Sequence, residues 1–449
     1  MPVLLKTDAN RETDWVNRLL DREESTPEYQ ELKFTLHRKL LDRINLEALT
    51  SMASERVRVQ VRAAVAKLVD EEKTPLSLVE KDRIIEQVLD EVLGLGPLEP
   101  LLQDPTVSDI LVTTPHRVYV ERAGKLYRTP VEFKDDGHLL RIIEKIVSRV
   151  GRRVDDSSPM VDARLPDGSR VNAVIPPVAV DGPLLCIRRF GRHAMRGEDL
   201  VAKLAMTEGM LELLKGCVRA RLNIVICGGT GSGKTTLLNA VSSYIPADER
   251  IVTIEDAAEL RLQQTHVARM ETRPPNVEGV GAVTIRHLVI NSLRMRPDRI
   301  IVGEVRAEEA LDMLQAMNTG HDGSLTTLHA NTPRDGLGRL EVMVGMANAN
   351  MGVRAIRQQI ASAVDLFIQT SRLSDGSRRI THITEVVGME QDIITLQDVF
   401  LFEKTGITES GSVLGRFRAT GIRPKFYDRL KTSGVTLPTS LFQTVVEIT

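Results

Sequence analysis

The chain has 449 residues, 42% of them apolar and 27% charged, with a formal net charge of −2 at pH 7. That length admits about two to four domains with sizeable cores, the composition is that of soluble globular material, and the charge balance offers no field to draw nucleic acid or an anionic bilayer. Cys186, Cys217 and Cys227, widely spaced and in or beside apolar residues, exclude a disulfide framework and a zinc site and read as reduced core positions of a cytosolic protein; with no signal-peptide core and no run of 18 apolar residues, any membrane attachment is expected to be peripheral and borrowed from a partner.

Residues 1 to about 30 mix charges with few apolar anchors and are expected to form a mobile tail. From Glu31 the pattern turns helical. Leu36, Leu40 and Ile44 recur every fourth residue and Val61, Val65 and Leu68 repeat the theme, so residues 31–85 read as a small helical module. Its basic run, Arg56, Arg58 and Arg62, reads as a solvated helix face before it reads as a docking face. A second unit is expected over residues 90–195. Gly94, Gly96 and Pro97 stop a helix; Val118–Val120 and Lys125–Tyr127 form a hairpin about Ala123-Gly124; Leu139, Ile142, Ile143, Ile146 and Val150 mark a helix. Val161–Leu165 and Arg170–Ile175 then flank the turn Pro166-Asp167-Gly168, and Leu184–Arg189 adds another strand. This is α+β patterning with no nucleotide motif of its own.

Over residues 200–449 helix and strand alternate, as a parallel α/β sheet requires. Asn223–Cys227 is a short β-branched run suited to a buried strand, and Leu237, Leu238 and Val241 mark a helix that opens at Lys234. Between them lie Gly228, Gly229, Thr230, Gly231, Ser232, Gly233, Lys234, Thr235 and Thr236, which fit G-x-x-x-x-G-K-[ST] at every specified position. Glycines let the backbone wrap a polyphosphate with its N–H groups inward, Lys234 brings a point charge to the terminal phosphates, and the Thr235 hydroxyl can ligate Mg²⁺. A loop between strand and helix is where anions meet a helix N-terminus, so a nucleoside triphosphate, ATP, is the expected ligand.

Ile251–Ile254, Arg299–Val302, Ser324–Leu328 and Val364–Ile368 read as the successor strands, and in open α/β sheets ligands bind at the carboxyl ends of strands. Glu255-Asp256 leaves the first of these tips, placed to hold Mg²⁺ through water or to position an attacking water. Ile300-Ile301-Val302-Gly303-Glu304 is an apolar strand ending in a carboxylate, with glycine where many ATPases of this kind place aspartate. Glu304 is the expected water-activating and metal-side carboxylate. Gly320–Asn331 packs two histidines and several hydroxyls about a strand, and His329, leaving its tip, is expected to sense the γ-phosphate; His321 is an even choice between that and a structural role.

In this order and spacing the elements resemble the secretion-ATPase superfamily of type II and type IV secretion systems and type IV pili. Its Walker A box looks like Gly228–Thr236, its Asp box like Thr253–Asp256, its Walker B box like Arg294–Glu304 and its His box like Gly320–Asn331; the likeness covers roughly residues 90 to 400. Within the superfamily the chain is most similar to the tight-adherence (Flp) pilus ATPases, the CpaF/TadA group, through Gly94–Leu98, Asp162–Asn172, Cys186–Phe190, Gln397–Phe400 and Ala419–Pro424, with the VirB11-like transporters as neighbours. The tetracysteine zinc module of many type II assembly ATPases is absent from the sequence.

The resemblance implies a RecA-like P-loop domain preceded by an α+β (PAS-like) domain and a small helical N-terminal module. It also implies a homo-hexamer with nucleotide between the two domains and arginines of the former reaching the phosphates. Arg170 and Arg188 match those positions, with Arg189 the weaker match; Arg294 and Arg306 flank the Walker B strand as interface or sensor residues. The expected function is ATP hydrolysis with Mg²⁺ that drives domain rotation against inner-membrane platform proteins of a pilus or secretion machine, from the cytoplasm at the inner face of the inner membrane. Rival readings are a nucleic-acid translocase of RecA type, disfavoured by the near-neutral charge and few aromatic residues, and a non-catalytic or GTP-binding switch, for which no Asn-Lys-x-Asp guanine reader exists.

Overall fold

A computed structural model describes residues 27–43, 54–72, 74–122, 124–189, 195–275 and 279–448. They fall into two compact units divided between residues 191 and 192. Among the described residues no helix is long and apolar enough to cross a membrane.

The first unit opens with three helices, α1 (Pro27–Arg43), α2 (Ser54–Glu71) and α3 (Leu78–Leu93). Leu36 and Leu40, Val61, Val65 and Leu68, and Ile84, Val88 and Leu89 bury one stripe of each against the others. Ile44 and the tail expected before residue 27 lie outside the described residues, as does the side chain of Arg56. The helical pattern differs from the 31–85 expectation at both ends. Pro27 is tolerated in a first helical turn, and α3 runs on to Leu93 because Val88 and Leu89 continue its buried stripe. Ser77 caps α3 reciprocally with Glu80: each side chain accepts from the other's backbone N–H. On α2, Arg58 pairs with Glu86 at 2.7 Å and Arg62 with Asp82 at 2.9 Å, all exposed, which makes this basic run a solvated face laced to α3.

After a short α4 (Glu99–Gln103), the same unit builds a sheet from β1 (Asp109–Thr114), β2 (Arg117–Arg122), β3 (Lys125–Arg128), β4 (Met160–Arg164), β5 (Arg170–Val174) and β6 (Leu184–Arg188), with α5 (Asp136–Arg149) between β3 and β4. The strand order is β3-β2-β1-β6-β5-β4. Leu139, Ile142, Ile143 and Ile146 of α5 join the inward residues of the strands in one core. On β6 the inward positions are Leu185 and Ile187, so the residue between them, Cys186, is exposed, which corrects the expectation of a third core cysteine; Cys217 and Cys227 are buried. Where α1, α3 and α5 meet, the buried Glu91 carboxylate takes Lys33 Nζ at 3.3 Å and His138 Nε2 at 2.9 Å. The other ring nitrogen of His138 accepts from Lys134 N, so Nε2 carries the proton that faces Glu91. Burial would raise the Glu91 pKa, but His138 and Lys33 outweigh it and hold the carboxyl below its usual range.

The second unit is one ten-stranded sheet with helices on both faces. Its elements are α6 (Gly197–Ala202), α7 (Glu208–Arg219), β7 (Ile224–Gly228), α8 (Lys234–Ser242), β8 (Ile251–Glu255), β9 (Val267–Glu271), α9 (Ile285–Ser292), β10 (Arg299–Val302), α10 (Glu309–Asn318), β11 (Leu325–His329), α11 (Pro333–Ala347), α12 (Val353–Ala363) and β12 (Leu366–Arg372), followed by β13 (Arg378–Glu390), β14 (Ile393–Ile407), β15 (Val413–Ala419), α13 (Tyr427–Thr432) and β16 (Val445–Ile448). Six strands, in the order β12-β7-β11-β10-β8-β9, run parallel; β13 to β16 continue the β12 side as antiparallel neighbours. β7 is buried on both faces. Ile224 and Ile226 pack with Leu213, Leu214 and Leu238, while Val225 and Cys227 face Leu314, Leu337 and Leu340.

Candidate functional site

The loop from Gly228 to Thr236 leaves β7 at the centre of the sheet, and the pairing registers fix what flanks it. His329 on β11 and Thr370 on β12 are the register partners of Gly228 from opposite sides. Side chains are excluded from the first turn: a Cβ on Gly228 would stand 2.4 Å from Ser232 Oγ and 2.5 Å from the Thr370 carbonyl oxygen. Gly231 at φ +69° and Gly233 at φ +98° take left-handed backbone that other residues rarely adopt. Gly233 is the N-cap of α8, so the loop closes on unpaired N–H groups of a helix start. Thr370 braces the turn, its hydroxyl donating to Ser232 O at 2.9 Å, and the Ser232 hydroxyl is buried with no hydrogen-bond partner. Thr230 is exposed at the crest; Gly229, Thr235 and Thr236 are half-buried.

Lys234 is buried. Its Nζ donates to Gly228 O at 3.1 Å and Gly229 O at 3.0 Å, and lies 3.4 Å from His329 Nδ1. The far ring nitrogen of His329 is 3.1 Å from Glu304 Oε1. Lys234, His329 and Glu304 therefore stand in a row across the carboxyl ends of β7, β11 and β10. Arg306 extends the row: it reaches Glu304 at 3.1 Å and Asp256 Oδ2 at 2.8 Å. Burial raises Glu304, yet Arg306, His329 and Lys234 together hold its carboxyl below the usual range. Burial, aided by Lys234 and opposed by Glu304, pushes the His329 pKa down. Burial also lowers Lys234, with Glu304 opposing.

Glu255 closes β8 and turns inward. Its Oε1 accepts from the backbone N–H of Glu259 at 2.9 Å and Leu260 at 3.0 Å, whereas its buried Oε2 has no hydrogen-bond partner. Desolvation dominates over those two hydrogen bonds and raises the carboxyl to about 7. The glycine in place of the expected aspartate is explained by the same side chain: a Cβ on Gly303 would lie 2.9 Å from Glu255 Cγ. Gly303 is held from both sides, donating to Ile254 O at 2.8 Å and accepting from Thr327 Oγ1 at 2.8 Å.

The remaining expected residues lie elsewhere. His321 and Arg294 precede β11 and β10, at the strand ends opposite the loop. Arg170 and Arg188 belong to the first unit, where they are register partners on β5 and β6 and both exposed; Arg188 Nε donates to Asp109 at 3.1 Å. Arg164 on β4 is in turn the register partner of Arg170, so three arginines stand abreast. The reading of β4 and β5 as a hairpin about Pro166–Gly168 implied that pairing and could have revealed Arg164.

Among the described residues no group of three or more His, Cys, Asp or Glu side chains is placed to hold a metal ion by itself. The unpartnered Glu255 oxygen, with Glu304 and the Thr235 hydroxyl, fits instead a hard cation that takes most of its ligands from phosphate and water.

Known proteins are similar to this chain in sequence. A putative conjugal transfer protein of Mycobacterium tuberculosis is 40% identical over 299 residues, covering 65% of this chain and 84% of its own length. The conjugal transfer protein TrbB of Rhizobium radiobacter is 34% identical over 298 residues, covering 64% and 86%. Among solved structures, the VirB11 ATPase of the Brucella suis type IV secretion system, in complex with sulphate, is 28% identical over 67% of this chain and 96% of its own, with a TM-score of 0.36. The family described as Type II/IV secretion system protein matches residues 91–413, a span that runs from Glu91 to the first residue of β15 and takes in the first sheet and the second as far as β14, and the chain belongs to that family.

Proposed function

We propose that this chain is an ATPase that drives a secretion or pilus machine through nucleotide-dependent movement between its two units. The observation that carries the reading is the row Lys234, His329 and Glu304 at the mouth of a glycine loop. In the proposed reaction Lys234 exchanges the carbonyls of Gly228 and Gly229 for phosphate oxygens, and Glu304 orients and deprotonates the attacking water. His329, between them, registers whether the terminal phosphate is present. Thr235, Glu255 and Glu304 are the residues that would hold Mg²⁺, which when bound would supply charge neutralisation at the phosphates.

Arg170 and Arg188 complete the site when the units close. With Arg164 they form a row of guanidinium groups on β4, β5 and β6, of a chemistry suited to phosphate oxygens. Differential contact with the closed form is what lets ATP shift the equilibrium between closed and open units. The assembly is proposed to be a homo-hexameric ring at the inner face of the inner membrane, moving platform proteins there; the motifs shared with the CpaF/TadA group favour Flp pilus assembly. A second reading keeps the same motor in a conjugal-transfer type of machine, and the names carried by the relatives at 40% and 34% identity favour it.

Steady-state phosphate release and particle mass with and without nucleotide test the motor. ATP turnover that vanishes in K234A, together with six-membered rings, supports it; a nucleotide-bound monomer at working concentration defeats the ring. Deletion of the gene separates the two readings, by loss of surface pili in one case and of DNA transfer in the other.

A further inference from the structure

The hairpin joining β12 to β13 overhangs the glycine loop from the side opposite His329. Its turn, residues 373–377, is rigid: Leu373 N donates to Ser377 O at 2.8 Å, and Asp375 accepts from Ser377 N at 2.9 Å and from Val413 N at 2.9 Å, which pins the turn to the start of β15. On the outgoing strand Arg378 is exposed. Its Nε donates to Gly231 O at 2.9 Å, and its Cδ lies 3.4 Å from where a Cβ on Gly233 would be. Arg372, at the end of β12, brings Nη1 to 3.8 Å of the Cβ position of Gly231.

Strand order makes the loop directional. β7 lies between β11 and β12, and Lys234, His329 and Glu304, the groups assigned to the terminal phosphate, gather on the β11 and β10 side. A triphosphate laid along the loop with its terminal group there delivers its nucleoside toward β12, where Arg378 waits with one guanidinium edge tied to Gly231 and the rest of its plane open.

We infer that Arg378 is a nucleotide-binding residue whose guanidinium plane receives the ribose and base of the bound nucleotide, with Arg372 beside it. The next two residues carry the contact onward. Arg379 Nη1 donates to Lys203 O at 3.3 Å and Ile380 N to Ala205 O at 2.8 Å, so the strand that touches the nucleotide also holds the segment just after α6. A planar guanidinium stacks on any base and reads none of its edges, which makes the subsite tolerant of base identity.

The inference rests on the nucleotide-binding reading of the loop, and titration calorimetry of the full chain with ADP and with inorganic tripolyphosphate, both with Mg²⁺, keeps the two apart. R378A is expected to weaken ADP about tenfold and tripolyphosphate less than about twofold; R378K, which keeps the charge and loses the plane, should follow R378A for ADP. Equal losses for both ligands would show that Arg378 only shapes the loop through Gly231, and an unchanged ADP affinity would show no contact; either overturns the inference and leaves the function standing. Wild-type chain that binds neither ligand removes the function and the inference together.

Discussion

His329 presents one ring nitrogen to Glu304 Oε1 at 3.1 Å and the other to Lys234 Nζ at 3.4 Å. A single neutral tautomer puts the lone pair of Nδ1 toward the ammonium and the Nε2 proton on the side of the carboxylate, whose Oε1 takes no hydrogen bond in this structure. The lowered pKa of His329 favours that neutral form. E304Q is expected to lower kcat by about 100-fold or more while ADP affinity changes little, because the amide still fills the space but takes no proton. H329A should lower kcat on the order of tenfold. Phosphate release beside calorimetric ADP binding checks both, and parental turnover in E304Q would remove Glu304 from the reaction.

Glu255 predicts a stability that depends on pH in a stated direction. Its folded-state pKa of about 7 lies above the ordinary carboxylate value, so the fold prefers the protonated form. The associated stability is complete below the ordinary value, declines as pH rises toward 7, and is gone above it, a change of roughly 3 kcal/mol. E255Q keeps an oxygen for the N–H groups of Glu259 and Leu260 and never ionises. The melting temperature of E255Q relative to the parent should therefore rise between pH 5 and pH 8. A constant difference over that range would refute the assignment.

Gly303 should be intolerant of a side chain for a reason that a second mutation can remove. G303A places a methyl against Glu255 Cγ and is expected to destabilise the chain by about 1–3 kcal/mol. Truncating the partner in G303A/E255A should recover part of that loss, giving a favourable coupling in the double-mutant cycle. Additive losses in denaturant unfolding would place the constraint elsewhere.

Arg170 separates function from stability. Arg170 is exposed on β5, so R170A should change the unfolding free energy by no more than about 0.5 kcal/mol. If closure delivers these arginines to the phosphates, the same substitution lowers kcat/KM for ATP by about tenfold or more. A variant that loses stability and keeps its turnover would mark Arg170 as structural.

Local chemistry made the glycine loop legible. The φ of Gly231 and Gly233, the short buried β7 and the helix opening at Lys234 are all properties of neighbouring residues. The acidic tips Glu255 and Glu304 were readable for the same reason, since each follows an apolar run of its own, and His329 was readable from its place at the end of a strand rich in hydroxyls. What the reading missed depends on pairing between distant segments. Edge strand β9, Val-Ala-Arg-Met-Glu, is only half covered and shows no apolar run. β1 carries a plain alternation, Ile110 and Val112 inward, but it is short and lies between stronger turn signals. Strands β13 to β16 gave no sign of which edge they would join, because antiparallel register is set by the partner and the turns. Arg378 reaches Gly231 only because β12 pairs beside β7, which no local pattern announces. Strand alternation between Leu185 and Ile187 turns Cys186 outward, against the pull of its apolar neighbours in sequence.

The buried Glu91 belongs at once to three helices, lying on α3 while Lys33 of α1 and His138 of α5 complete it. Lifting the helical bundle off the α+β sheet would leave the buried carboxylate with Lys33 but take away its contact with the His138 ring. Bundle and sheet are thus locked into a single lever. Any movement of the sheet that carries Arg170 and Arg188 is therefore a movement of α1, α2 and α3 as well.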